Sequence, residues 1–120
     1  MAEPPADIAD LLPEPARDFL KALASETRQQ ILLLFIGGAT LTVGEVAGRL
    51  GIGQSTASEQ LALLRRGGLL HAQRNGKLVS YQANPAAITE RLAQLQGFLA
   101  CCCPPADDLA AQRPATAHPA

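Results

Sequence analysis

Three cysteines stand side by side near the end of the chain: Cys101, Cys102 and Cys103. Thiolates are soft ligands that select thiophilic ions. Trivalent arsenic and antimony take three thiolates in a pyramid, and neighbouring thiols keep the next sulfur close once the first has bound. Mercury, lead and cadmium are the other thiophilic candidates. A structural zinc site needs four ligands, and the two histidines, His71 and His118, lie at no metal-ligand spacing from the triplet. Two more readings stand beside a soft-ion site. One is a redox switch through a vicinal or intersubunit disulfide. The other is three small buried hydrophobes. An odd, consecutive set is not a disulfide framework. No base stands at a readable spacing to activate a thiolate, so an enzyme is not expected.

Geometry constrains the triplet. Successive side chains on a regular helix point about 100° apart, so three consecutive sulfurs cannot converge on one. Pro104 pushes Cys103 away from helical angles. The helix is therefore expected to unwind around Cys102 and Cys103, giving a local site or one shared across a dimer.

A second set of residues suits a different chemistry. Gln54, Ser55, Thr56, Ser58, Glu59 and Gln60 form a polar run. Gln can read adenine with two hydrogen bonds, and Ser and Thr bond phosphates or base edges. Arg65, Arg66, Arg74 and Lys77 follow, placed where phosphates of a duplex would lie. The plainer alternatives are an ordinary solvated surface and a module that contacts protein. His71 reads as a strand residue near DNA and His118 as a solvated tail residue.

The overall charge, −1 with a pI near 6.1, at first argues against nucleic acid. Taken by segment it does not. Residues 1–18 carry five acids and Arg17, net −4. Residues 19–40 are +1, residues 41–82 are +3 and residues 83–120 are −1. A basic middle lies between acidic ends. Aromatics are Phe19, Phe35, Tyr81 and Phe98, with no Trp, so a platform for stacking single-stranded bases is not expected. The longest aliphatic run, Ile31 to Ile36, falls far short of the roughly 20 apolar residues that span a bilayer. The acidic N-terminus lacks the basic region of a secretory signal, and the expected location is cytoplasmic.

The elements that must position these residues can be read from periodicity and breakers. Residues 1–13 are Pro- and Ala-rich, acidic and expected to be flexible. A helix is expected from Pro15 to about Ala24, then a second from a Ser25 cap to Ile36, stopped by Gly37-Gly38. Its near-continuous apolar character predicts deep burial. A short helix near Val43 to Leu50 leads to a tight Gly51-Ile52-Gly53 turn. The next helix opens at Gln54-Ser55-Thr56, where Thr56 and Glu59 have capping-box spacing, although Gln54 or Ser55 could equally cap. Its inward residues are Ala57, Leu61 and Leu64. Two strands, Leu69 to Arg74 and Lys77 to Gln82, flank Asn75-Gly76, a type I′ hairpin signal. The last helix runs from Pro85 to about Ala100 with Ile88, Leu92, Leu95 and Leu99 in a heptad-like row. Residues 104–120 are low in complexity and expected to be disordered. The fold is thus mainly α with a β-hairpin wing: a winged helix-turn-helix at residues 14–103, whose second helix enters the major groove.

The chain resembles the ArsR/SmtB family of metal- and metalloid-responsive repressors over roughly residues 18–100. The resemblance rests on Ala22-Leu23-Ala24-Ser25-Glu26-Thr27-Arg28 with Ile31-Leu32, on Leu41 to Ala47, on Gln54 to Leu61, on Leu64 to Leu70 and on the Arg74-Asn75-Gly76-Lys77 wing. It implies a homodimer clasped by first and last helices, here Phe19, Ile88, Leu92, Leu95 and Leu99. It also implies a two-fold symmetric DNA operator and release by an inducer. Members that sense through the helix before the turn carry Cys-Val-Cys, where this chain has Thr42 and Gly44. Zinc-sensing members carry Asp, His and Glu along the last helix, where this chain offers Glu90 alone. The C-terminal cysteines resemble the arsenite- and antimonite-responsive branch, which implies As(III) or Sb(III) as inducer at Cys101, Cys102 and Cys103. Family recognition helices often carry two histidines where Glu59 and Gln60 stand. Glu59 repels phosphate, so it should accept from a base such as cytosine or pair with a nearby Arg.

Overall fold

The computed structural model describes residues 11–103, and along them five helices alternate with a three-stranded antiparallel sheet. Helix α1 (Glu14–Leu23) begins at the Pro13 carbonyl, which accepts from Ala16 and Arg17. Within the segment 1–13 expected to be flexible, Leu12, just before α1, is buried and Leu11 is exposed. Residues 1–10 and the expected disordered tail at 104–120 lie outside the described residues.

Ser25 caps α2 (Glu26–Leu33), its hydroxyl accepting from Arg28 N at 3.3 Å. This helix ends three residues short of the expected Ile36. The N–H groups of Leu34, Phe35 and Ile36 donate to carbonyls three residues back, a tighter turn that leads into Gly37 and Gly38 at φ +80° and +81°. The deep burial expected of this run is confined to one face. Ile31 and Phe35 are buried, but Leu33 and Ile36 are 63% and 71% exposed.

The sheet holds one strand more than expected. β1 (Leu41–Thr42) pairs with Tyr81 and Ser80, and two residues are too few to show a period. Helix α3 (Val43–Leu50) follows at once. Thr42 and Glu45 close a reciprocal capping box: Thr42 Oγ1 accepts from Glu45 N at 3.1 Å, and Glu45 Oε1 from Thr42 N at 2.8 Å. Gly51 ends α3 in the left-handed region at φ +66°, a conformation glycine adopts without penalty. Three residues later α4 (Gln54–Arg66) starts. The wing is β2 (Leu70–Asn75) paired with β3 (Leu78–Ala83), in the order β1-β3-β2. Asn75 pairs with Leu78, so the loop is Gly76-Lys77, one residue later than Asn75-Gly76. Gly76, at φ +63°, takes the first loop position, where primed turns need positive φ. Asn84 caps α5 (Pro85–Cys102), accepting from Ala87 N at 3.2 Å.

The core lies where α4 crosses α1, α2 and α3. Ala57, Leu61 and Leu64 point into it with no exposure, against Phe19, Ile31, Phe35, Val46, Leu70 and Tyr81. Phe19 was expected to face a partner subunit. It is instead 2% exposed and committed to this core. Where α4 ends, Gly67 lets α1 come close: a Cβ there would stand 2.7 Å from Ala22 Cβ and 3.0 Å from the Asp18 carbonyl oxygen.

Candidate nucleic-acid interface and thiol site

Helix α4 is fixed on its inner side and free on its outer side. With Ala57, Leu61 and Leu64 inward, the 3.6-residue period sets Ser55, Glu59, Ala62 and Arg66 in a row on the opposite face. All four are exposed, as are Gln54, Thr56 and Ser58. Gln60 departs from expectation. It is half-buried, and its Oε1 accepts from Arg28 Nη1 at 2.9 Å. The same guanidinium donates to the carbonyls of Ala22 (2.9 Å) and Lys21 (3.0 Å). Arg28 therefore satisfies the last carbonyls of α1 and fastens α4 to them. Sequence reasoning used Arg28 as part of a motif and missed this role, because a contact 32 residues apart leaves no local pattern.

The capping box expected at Thr56 and Glu59 does not form. Thr56 lies inside the helix, and the cap is Gly53, which has no side chain to accept from the first turn. The box belongs to Thr42 and Glu45, one helix earlier. Basic groups frame the outer face of α4. Arg65 and Arg66 are exposed in its last turn, Arg74 is exposed on β2 and Lys77 is exposed in the wing loop. The groove between wing and helices, about 340 Å³, is lined by Thr42, Gly44, Gln54, Lys77 and Leu78 among others.

The thiols lie elsewhere, at the far end of α5. The helix runs two residues past the expected Ala100, through Cys101 and Cys102, and leaves helical angles at Cys103 (φ −127°, ψ +107°). The break expected around Cys102 and Cys103 thus falls at Cys103 alone, and Cys102 stays helical. All three cysteines are exposed, which does not suit the buried-hydrophobe reading within one copy of the chain. Cys102 Sγ and Cys103 Sγ stand 3.1 Å apart in a hydrogen bond. That bond, then the neighbouring charge on Cys103, raises the Cys102 thiol above its ordinary value. Two sulfurs can thus chelate one soft ion as they stand. No group of three possible ligands is set around an ion among the described residues. A third sulfur requires Cys101 to leave the helix, or a second subunit.

Along α5 an open groove of about 570 Å³ runs between Leu92, Leu95, Leu99 and Cys103. Leu92 and Leu99 are 51% and 54% exposed, while Ile88 and Leu95 are half-buried against the core. No helix among the described residues is long and apolar enough to cross a membrane.

A Helix-turn-helix domain family model matches residues 23–72, from the end of α1 to the start of the wing. The chain is similar to the transcriptional activator HlyU of Vibrio cholerae, 44% identical over 62 residues, 52% of this chain and 56% of HlyU. It is 38% identical over 68 residues to the arsenic resistance transcriptional regulator ArsR2 of Pseudomonas putida, 57% of this chain and 59% of that protein. These matches span less than two thirds of either relative. Solved structures extend the likeness. Reduced HlyU from Vibrio cholerae is 35% identical with a TM-score of 0.54, covering 76% of this chain and 90% of that one. A homodimeric winged helix-turn-helix DNA-binding domain of Mycobacterium bovis, described as a possible ArsR-family regulator, is 32% identical. It has a TM-score of 0.61 over 80% of this chain and 87% of that one.

Proposed function

We propose, on the premise that the chain belongs to the winged helix-turn-helix transcriptional regulators of the ArsR/HlyU type, that it is a homodimeric DNA-binding repressor which trivalent arsenic or antimony releases from its operator. The polar outer face of α4, with Arg65, Arg66, Arg74 and Lys77 around it, supports the DNA part: side chains for base edges, cations for phosphates. The Leu92–Leu95–Leu99 groove supports the dimer, because a second α5 laid along it covers leucines that one copy leaves half in water.

The observation that carries the inducer is the sulfur pair. Cys102 and Cys103 are exposed, 3.1 Å apart and in reach of any thiophilic ion. A third thiolate, from Cys101 after the last turn opens or from the partner subunit, completes the pyramid that As(III) prefers. Drawing Cys101 in disturbs the end of the dimer helix and so the separation of the two recognition helices. That separation must suit half-sites about one helical turn apart. The coupling needed is modest, since roughly 1–3 kcal/mol weakens DNA binding 5- to 150-fold.

The same pair supports a second reading, a thiol–disulfide switch, and the solved relative described as reduced HlyU favours weighing it. One titration separates the two. The reduced dimer is bound to a labelled operator duplex and exposed in turn to arsenite, antimonite, cadmium, zinc and peroxide, then again as each single Cys→Ser variant. Release by arsenite that Cys102→Ser and Cys103→Ser abolish is the expected result. If all three variants still release DNA with metalloid, the site is wrong. Release by peroxide alone, reversed by dithiothreitol, establishes the switch instead.

A further inference from the structure

We propose that Glu59 selects a C·G base pair in each half of the operator, accepting a hydrogen bond from the cytosine N4 amino group. The inference rests on the reading that this chain binds DNA, and it names what α4 reads. A carboxylate in the middle of a surface meant for a polyanion needs a reason, because it repels every phosphate it approaches.

The usual reason would be an ion pair that neutralises it, and here it is missing. Arg65 lies off the row of Glu59, and Arg66, two turns on in the same row, borders the same hollow without forming a salt bridge to it. Among the described residues the one salt bridge joins Arg91 to Glu90, on α5. Nor does Glu59 serve the fold: it caps nothing, and its side chain is exposed. It lies on the outer row, between Ser55 one turn earlier and Ala62 one turn later, opposite the buried Leu61 and Leu64. A shallow hollow bounded by Glu59, Ala62, Leu63 and Arg66 opens beside it, with room for the edge of a base.

In the major groove a carboxylate has one good partner. Cytosine presents a bare N4 donor. Guanine presents only acceptors, thymine an acceptor and a methyl group, and adenine a donor beside an acceptor. Glu59 is therefore repelled or left unsatisfied by most bases and rewarded by cytosine. The small Ala62 beside it keeps the approach open.

Selection from a randomised duplex library, followed by sequencing, tests the assignment with the wild-type chain, Glu59→Gln and Glu59→Ala. The wild type should enrich cytosine at one position in each half-site. Glu59→Gln should shift that position to adenine, which Gln reads with two bonds, and leave the others unchanged. Glu59→Ala should make it degenerate, with a loss of about 5-fold in discrimination there, the low end of what a two-bond contact gives. If both variants keep every base preference and bind all duplexes more tightly by one common factor, Glu59 acts only through phosphate repulsion and the proposal fails. A wild-type chain that enriches no sequence and shows no salt-dependent binding overturns the DNA reading itself, and this proposal with it. Melting temperatures equal to wild type show that the exposed substitution left the fold intact.

Discussion

Two helices of this molecule, α4 and α5, are held in opposite ways. Helix α4 has a fully buried inner face, so its outer side chains are aimed by packing that one copy of the chain completes. Helix α5 has no fully buried residue: Ile88 and Leu95 are half-buried against the core, and its sulfurs, Leu92 and Leu99 are exposed. The reading surface is therefore rigid before anything binds. The thiol end has no such support within one copy of the chain. On the proposed function that division is useful, since α4 keeps its own shape while a change at the end of α5 alters how two copies are set.

Truncating each end should expose the contrast most strongly. Leu61→Ala removes a side chain with no exposure from the centre of the core. It should cost about 2–5 kcal/mol of unfolding free energy in urea denaturation. Leu99→Ala, at a residue 54% exposed in one copy, should leave that core alone and act on association. Sedimentation should then show a weaker dimer, with a melting temperature that depends on protein concentration. Equal, concentration-independent losses for both variants would erase the distinction between the two helices.

The junction between the ends comes next. Gly67 is buried where α4 meets α1, and a Cβ there meets Ala22 at 2.7 Å and backbone oxygen at 3.0 Å. Gly67→Ala should cost about 1–3 kcal/mol through overpacking, read as a lower midpoint in the same denaturation. Gly48→Ala is the control, since a Cβ at Gly48 meets nothing within 4 Å. A smaller effect is expected at the cap of α3. Thr42→Ala breaks the reciprocal box with Glu45 and should cost about 0.5–2 kcal/mol. Thr56→Ala, on an exposed residue that caps nothing, should be close to neutral. The reverse order would restore the capping assignment made from spacing alone.

Much of this arrangement was legible because it is local. The inward trio of α4, the glycine turn before it, the heptad-like row of α5 and the hairpin all follow from periods and breakers within one segment. What escaped depends on partners distant in sequence. β1 is a strand only because Tyr81 and Ser80 accept it as one. Gln60 faces inward because Arg28, from another helix, takes its carbonyl. The family resemblance puts Phe19 at a subunit interface because it names the clasping helices without showing which neighbour each side chain fills, and here the core fills it. The capping boxes make the same point at short range. Two candidates, Thr42 with Glu45 and Thr56 with Glu59, share the S/T-x-x-E spacing, and only the one at a real helix start closes.

The smallest expected effect on stability, and the sharpest test of the exposed end, concerns the hydrogen bond between the sulfurs. Cys103 raises the Cys102 thiol by the hydrogen bond between them and by its charge. A raised thiol holds its proton to higher pH, so less of it is the reactive thiolate at neutrality. Removing the cause should reverse the sign. In Cys103→Ser, Cys102 should be alkylated by iodoacetamide faster than in the wild type at pH 7.5, with the midpoint of its rate profile moved to lower pH. Peptide mass mapping assigns the label to Cys102. The melting temperature should not move, because both side chains are exposed. An unchanged midpoint would mean that the two sulfurs do not share a proton in solution, and a coupled fall in stability would mean that this end is packed after all. The expected pair of results, altered reactivity with unaltered stability, is what a thiol pair held apart from the core should give.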